Sequence, residues 1–369
     1  GVLSTAGPTD KFRAFLCDLY PENLPSGTYT ILNPDGCKIG VGAFTSPDRT
    51  GWSTATEFTF THSGTGLLFL HAEGSVTNSA GPIQIILPGL KTAFLAGDYW
   101  NPVFMDFISD LNLKSLRFMD WLSGYKDLSE SWSDVPVGLP MMTAAPITKL
   151  EPKVPYPLII DLCNRLNINP YIVLPVRSNE SYHQGLATLL KNTLNPDRYV
   201  YLEFGNETWN FGAPFKDARV WVELFDFTRF QAVSNLGING WTLTAHGLST
   251  GDQISNYFDA GNYTFDRNAQ IYPSGYGERL YVEAVDANNF KLYENVGRTI
   301  IVAPTSLTPK LTYKKRVESG KVADIDINHG KQSLIMWQRF DAILGRNRCI
   351  HVMGTQFAGP AGTTTRLSP

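Results

Sequence analysis

The chain lacks any run of basic residues. Its 31 Lys and Arg and 34 Asp and Glu are scattered over 369 positions and leave a net charge of −3. Nothing in that pattern tracks a phosphate backbone or holds an anionic bilayer, so neither nucleic acid nor membrane is an expected partner. Long apolar runs are missing too: no stretch reaches the roughly 18–20 residues needed to span a bilayer. The opening GVLSTAGPTDKF has neither the charged nor the apolar region of a secretory leader. Cysteine is scarce, with four residues at 17, 37, 163 and 349 and no CxxC spacing. That excludes a zinc site or a disulfide framework as an expectation, and without metal-ligand spacing no cofactor is expected. Cys163 within LIIDLCNRL and Cys349 within CIHVMG are expected as buried, small apolar residues. Cys17 and Cys37 are the two that could pair.

What the chain has is aromatic surface: 12% of residues, including eight Trp and sixteen Tyr. Such rings stack on the C–H faces of pyranoses, or simply fill cores. Residues 1–88 read as an all-β, sandwich-like domain, because short runs such as GTYTILN, EFTFTH and IQIILPG alternate with Gly, Ser, Pro and Asn. From residue 89 to 234 strands alternate with helices. Asn101-Pro102 opens a helix with Val103, Phe104, Phe107, Ile108 and Leu111 as its apolar stripe. The strand LKSLRFMDWL follows, then the helix PLIIDLCNRLNI and the apolar strand PYIVLPV. Ser178-Asn179-Glu180 starts the helix HQGLATLLKNTL, which leads to YVYLEF. This order predicts parallel βαβ architecture. Residues 235–315 return to a β pattern, an expected inserted domain, and 316–369 resume the helix and strand order.

The segment Tyr201-Leu202-Glu203-Phe204-Gly205-Asn206-Glu207-Thr208-Trp209-Asn210 carries the candidate chemistry. A buried parallel strand ending in Gly-Asn-Glu delivers an amide and a carboxylate to the carboxyl end of the sheet. Glycoside hydrolysis needs one carboxyl to protonate the leaving oxygen and a second to attack or to activate water. Glu207 suits the first role, Asn206 can bond a sugar hydroxyl, and Trp209 could floor a subsite or desolvate the acid. The competing local reading is that Asn-Glu caps the following helix.

Together with Arg117-Phe118-Met119-Asp120-Trp121 and Val154-Pro155-Tyr156, this segment resembles the retaining (β/α)₈-barrel glycoside hydrolases that carry an Asn-Glu motif, in particular a cellulase-like group. The resemblance covers roughly residues 82–225 and 325–357. It implies a (β/α)₈ TIM-type barrel, apparently incomplete in this chain, with an N-terminal β-sandwich and an inserted small β domain, and Glu207 as catalytic acid/base. Asn206, Trp209, Arg117, Asp120, Trp121 and Glu203 would then be substrate-binding. Strand alternation puts Glu203 and Glu207 on one side, where an Arg117–Glu203 ion pair braces the site or is purely structural. Asp120 and Trp121 line a subsite, or Trp121 caps the core.

Two departures from that group stand in the sequence. The third strand ends Leu174-Pro175-Val176-Arg177, without the group's His, and no residue occupies the place of the nucleophilic second Glu. A fragment of a longer protein, a second chain completing the barrel, or a scaffold that has lost its site would each account for this.

Within the insert, Ala245-His246-Gly247-Leu248-Ser249-Thr250-Gly251-Asp252 and Tyr281-Val282-Glu283-Ala284-Val285-Asp286 resemble a small β-barrel module found in ubiquitin-activating enzymes and phage tail proteins. His246 is expected to serve a turn rather than catalysis. The whole implies an extracellular or virion protein of a tail or fibre, exported with a signal since removed or by release of particles at lysis. Its expected function is to act on or bind a β-linked polysaccharide or cell-surface glycan; other virion proteins or self-association are further expected partners. The alternative is a non-catalytic structural or receptor-binding tail protein.

Overall fold

The computed structural model describes residues 11–15, 25–34, 36–42, 53–63, 69–73, 83–122, 129–135, 154–208, 218, 221–222, 230–258, 263–265, 271–272, 275–305, 307, 310–315 and 325–354. The chain forms two compact units, one comprising Gly1–Lys114, Val137–Ile147 and Glu151–Leu158, the other Ser115–Pro136, Thr148–Leu150 and Ile159–Pro369.

In the first unit the strands are β1 (Lys11–Phe15), β2 (Gly27–Leu32), β3 (Lys38–Gly42), β4 (Glu57–His62), β5 (Phe69–Glu73) and β6 (Gln84–Ile86). They make two three-stranded antiparallel sheets, ordered β1-β5-β3 and β4-β2-β6. Central β2 buries Tyr29, Thr30 and Ile31, whereas the edge strand β4 alternates exposed and half-buried positions as a one-faced strand should. Two helices follow, α1 (Lys91–Leu95) and α2 (Pro102–Asp110). The Asn101 side chain accepts from Val103 N at 3.0 Å, with Pro102 at the first helical position. Of the stripe expected on α2, Ile108 is buried while Val103, Phe107 and Leu111 are exposed. Apolar spacing shapes an amphipathic helix but does not itself supply a surface to pack on.

The second unit contains β7 (Ser115–Arg117), α3 (Tyr156–Leu166, which begins in the first unit), β8 (Asn169–Leu174), α4 (Glu180–Thr193) and β9 (Val200–Phe204). Then come nine antiparallel strands: β10 (Phe230–Asn235), β11 (Gly240–Thr242), β12 (Gln253–Phe258), β13 (Tyr263–Phe265), β14 (Ile271–Tyr272), β15 (Gly275–Ala284), β16 (Asn289–Tyr293), β17 (Ile301–Pro304) and β18 (Lys310–Lys315). Helix α5 (Ile325–Leu344) and strand β19 (Cys349–Val352) end the described chain.

Strands β7, β8, β9 and β19 form a parallel sheet in the order β19-β9-β8-β7. Its core is apolar, with Ile172, Leu174, Val200 and Leu202 completely buried, each contributing roughly 1.5–3 kcal/mol. Helix α4 starts where Asn179 Oδ1 accepts from Tyr182 N, and it buries Tyr182, His183, Leu186, Ala187 and Leu190 on one face. Helix α5 lies against β9: Trp337 Nε1 donates to Leu202 O at 3.0 Å, and His329 Nε2 lies 2.9 Å from Phe204 O.

In the intervening segment β10, β18, β12, β15, β16 and β11 pair in succession, and the β10–β11 ladder closes the ring. The result is a six-stranded antiparallel barrel filled by Trp241, Ile254, Val282, Phe290, Leu292 and Tyr313. His246 braces a turn of it, with Nδ1 accepting from Leu248 N and Nε2 bonding Asp286 O.

The (β/α)₈ TIM-type barrel expected from the sequence is not formed. Among the described residues there are five α-helices, the parallel sheet has four strands, and the one closed barrel is antiparallel. The reason is physical: strand-helix alternation fixes parallel pairing between neighbours, but closing eight strands demands a shear and tilt that no local pattern records.

Candidate functional site

The carboxyl edge of the parallel sheet collects most of the residues singled out from the sequence. Arg117, Tyr171, Tyr201 and Ile350 are partners in register across the four strands. Two residues on, Glu203 shares their face of β9 and is 4% exposed. The Arg117 guanidinium reaches across β8 over the Tyr171 ring, 5.2 Å from its centroid. It donates to Glu203 Oε2 from Nε at 3.2 Å and from Nη2 at 2.7 Å. Tyr171 adds a third donor to the same oxygen at 2.8 Å. Burial, and then the charge of Glu203, push the Tyr171 phenol above its ordinary pKa, so it stays protonated and donating. Tyr171 in turn stacks on Tyr201, with ring centroids 5.7 Å apart.

Beyond β9 the chain turns sharply. Gly205 has φ +67° and Glu207 φ +49°. At Gly205 a Cβ would stand 2.6 Å from Val176 Cγ1 and 2.7 Å from Thr208 Cγ2, so glycine is required there on both counts. Glu207 has no such freedom: a non-glycine residue in the left-handed region costs about 1–2 kcal/mol. Such strain concentrates at functional sites. Its side chain is half-buried.

Between these two positions lies Asn206, 2% exposed. Its Oδ1 accepts from Arg117 Nη2 at 3.0 Å, and its buried Nδ2 has no hydrogen-bond partner among the described residues. An unmade buried bond of this kind costs about 1–3 kcal/mol. Gly354, just past β19, closes the other side. A Cβ there would fall 2.3 Å from Glu203 Oε1, so any larger residue would push the carboxylate from its place.

The other expected site residues are Asp120, Trp121 and Trp209. Asp120 is exposed, and Trp121 packs on Phe118 with centroids 5.5 Å apart. Trp209 lies outside the described residues. Val176 stands where the resembled group carries its His, and Arg177 beside it pairs with Glu130 and lies 4.5 Å from the Trp221 ring centroid. Tyr171 and Gly354 were not recognised in the sequence. Only the cross-strand register reveals Tyr171, and Gly354 carries no local signal at all. Among the described residues no group of three or more His, Cys, Asp or Glu is placed to hold a metal ion. No helix among them is long and apolar enough to cross a membrane.

No protein-family model, curated protein or solved structure matches the chain. The resemblance to retaining (β/α)₈ glycoside hydrolases is therefore withdrawn, as is that of the insert to a module of phage tail proteins. The Gly-Asn-Glu segment that suggested the first is accounted for by a tight turn after a buried strand, where Gly205 and Glu207 both take positive φ.

Proposed function

We propose that the chain binds a β-linked polysaccharide at the carboxyl edge of its four-stranded parallel sheet, with Glu207 as the group that exchanges a proton at the glycosidic oxygen. The observation that carries this reading is the orphaned Nδ2 of Asn206, a fixed donor beside a carboxylate held on strained backbone. Open α/β sheets bind ligands outside the carboxyl ends of their strands, and a buried amide without a partner suits a ligand hydroxyl.

A second reading is binding without turnover. It is favoured by Glu203, whose Oε2 is already occupied by Arg117 and Tyr171 and so is poorly suited to attack an anomeric carbon. Incubation of the protein with a panel of soluble β-glucans, xylan and chitin oligomers, read by affinity electrophoresis and by release of reducing ends, separates the two. Release abolished by Glu207→Gln, with retention on the gel preserved, supports the catalytic form; retention without release supports the binding form. Neither retention nor release by the wild type on any polymer of the panel would overturn both.

A further inference from the structure

We infer that Tyr171 and Arg117 are positioning residues that lock the Asn206 amide in one flip, so that its NH2 and not its oxygen meets the ligand. The ligand atom recognised there must then be a hydrogen-bond acceptor, such as a hydroxyl or carboxylate oxygen. This deepens the reading above and rests on it for the nature of the ligand.

The flip follows from donor chemistry. A guanidinium has donors only, so the Asn206 atom 3.0 Å from Arg117 Nη2 is the oxygen. The NH2, on the other branch of the planar amide, is buried and unpartnered among the described residues. Arg117 can hold the amide this way only because it is itself held. Its Nε and Nη2 fork around Glu203 Oε2, and the Tyr171 ring lies beneath the guanidinium. The phenol bonds that same oxygen at 2.8 Å. Nη2 is thereby shared between Glu203 and Asn206, and a swing of the guanidinium would break contacts with three residues at once. Tyr171 is fitted to this by its place in the sheet, the register partner of Arg117 on one side and of Tyr201 on the other.

Two measurements test the lock. In the ligand-free protein, the side-chain amide pair of Asn206, assigned in ¹⁵N spectra by its loss in Asn206→Asp, is expected as two sharp, slowly exchanging resonances. In Tyr171→Phe the pair shifts and broadens, while Arg117→Lys, still a pure donor, keeps the flip but loses the fork and broadens less. Unchanged resonances in Tyr171→Phe would overturn the positioning role whether or not any glycan binds.

The second measurement uses whichever β-linked oligosaccharide of the panel the wild type retains. Asn206→Asp is isosteric, keeps an acceptor toward Arg117 and replaces the NH2 by an anionic oxygen. Its affinity is expected to fall about tenfold or more, equivalent to about 1.4 kcal/mol, measured on protein whose circular dichroism matches that of the wild type. Tyr171→Phe is expected to weaken binding about threefold to tenfold. Equal affinity of Asn206→Asp and wild type would show that no acceptor is read at this amide. If the wild type retains no oligosaccharide, the glycan reading fails while the spectra still decide the lock.

Discussion

Arg339 donates from Nη1 to Nδ1 of His183 at 3.2 Å. With Nδ1 accepting, the ring proton sits on Nε2 and is donated to Ser178 Oγ at 2.9 Å, and that hydroxyl donates to Pro175 O at 2.6 Å. A Ser–His contact of this length would suggest a nucleophile and its base. Here the polarity runs the wrong way: a cation occupies the position where a carboxylate would stabilise imidazolium, and the serine proton is committed to a backbone carbonyl. The chain of bonds ties α4 to α5 and to the end of β8. Burial first, and Arg339 second, push His183 down to about 3.

That shift sets a pH dependence. A group whose folded pKa lies below its unfolded value contributes full stability above the unfolded value, near 6.5, and loses it as pH falls toward 3. The urea midpoint of the wild type is expected to drop between pH 6.5 and pH 4, with this residue contributing at most about 1.4 kcal/mol per pH unit. His183→Gln should be less stable at pH 7.5 yet flatter across that range. Parallel curves for the two proteins would refute the assignment.

Glu207 offers a trade between stability and function. Glycine relieves the strain at φ +49°, so Glu207→Gly is expected to raise stability by about 1 kcal/mol in chemical denaturation, less any interaction of the side chain. On the catalytic form of the proposal, the same variant should release no reducing ends from a polysaccharide that the wild type cleaves. A lower denaturation midpoint would mean that the carboxylate is structural.

Helix propensity predicts that Gly185→Ala, in the middle of α4, should stabilise by about 1 kcal/mol. The structure predicts the reverse. A Cβ at Gly185 would stand 2.2 Å from the Trp132 indole, which packs edge-on against Tyr182 at 6.1 Å. Displacing the indole should leave a net loss of about 1–3 kcal/mol, read as a lower thermal midpoint and altered near-ultraviolet dichroism from the tryptophan.

Cys163 and Cys349 are 0% and 3% exposed, and burial pushes both thiols up to about 12. Neither should be alkylated by iodoacetamide at pH 8 in the folded protein, and both should be labelled in 6 M guanidinium, as mapped by peptide mass. Labelling of either under native conditions would show that its surroundings open.

Much of this fold was legible residue by residue. Asn101 and Asn179 announced the helix starts they now cap, and the apolar run PYIVL is a strand buried between neighbours. Closure was not legible in the local pattern, and a barrel over 235–315 was expected only through a resemblance: the six-stranded ring depends on Trp241 pairing with Phe290 and Thr242 with Asn289, contacts between segments that are each an ordinary strand. The candidate site was legible in its ionic part, since Arg117 and Glu203 declare opposite charges on strands of one sheet. Tyr171 was hidden because a tyrosine in a strand reads as core, and its phenol acquires a role only when the register sets it between Arg117 and Tyr201.

The closed barrel also bears on how the chain folds. Phe230, where it begins, is paired with Tyr313 near its end, so the polypeptide enters and leaves it at adjacent strands. Val200 must find Cys349 to complete the parallel sheet, a search whose entropic cost grows with the length of the intervening loop. Once the barrel has formed, most of that loop is bypassed, and strands remote in sequence meet as though joined by a short tether. Barrel formation ahead of the last parallel pairing would thus lower the contact order that the sheet has to overcome.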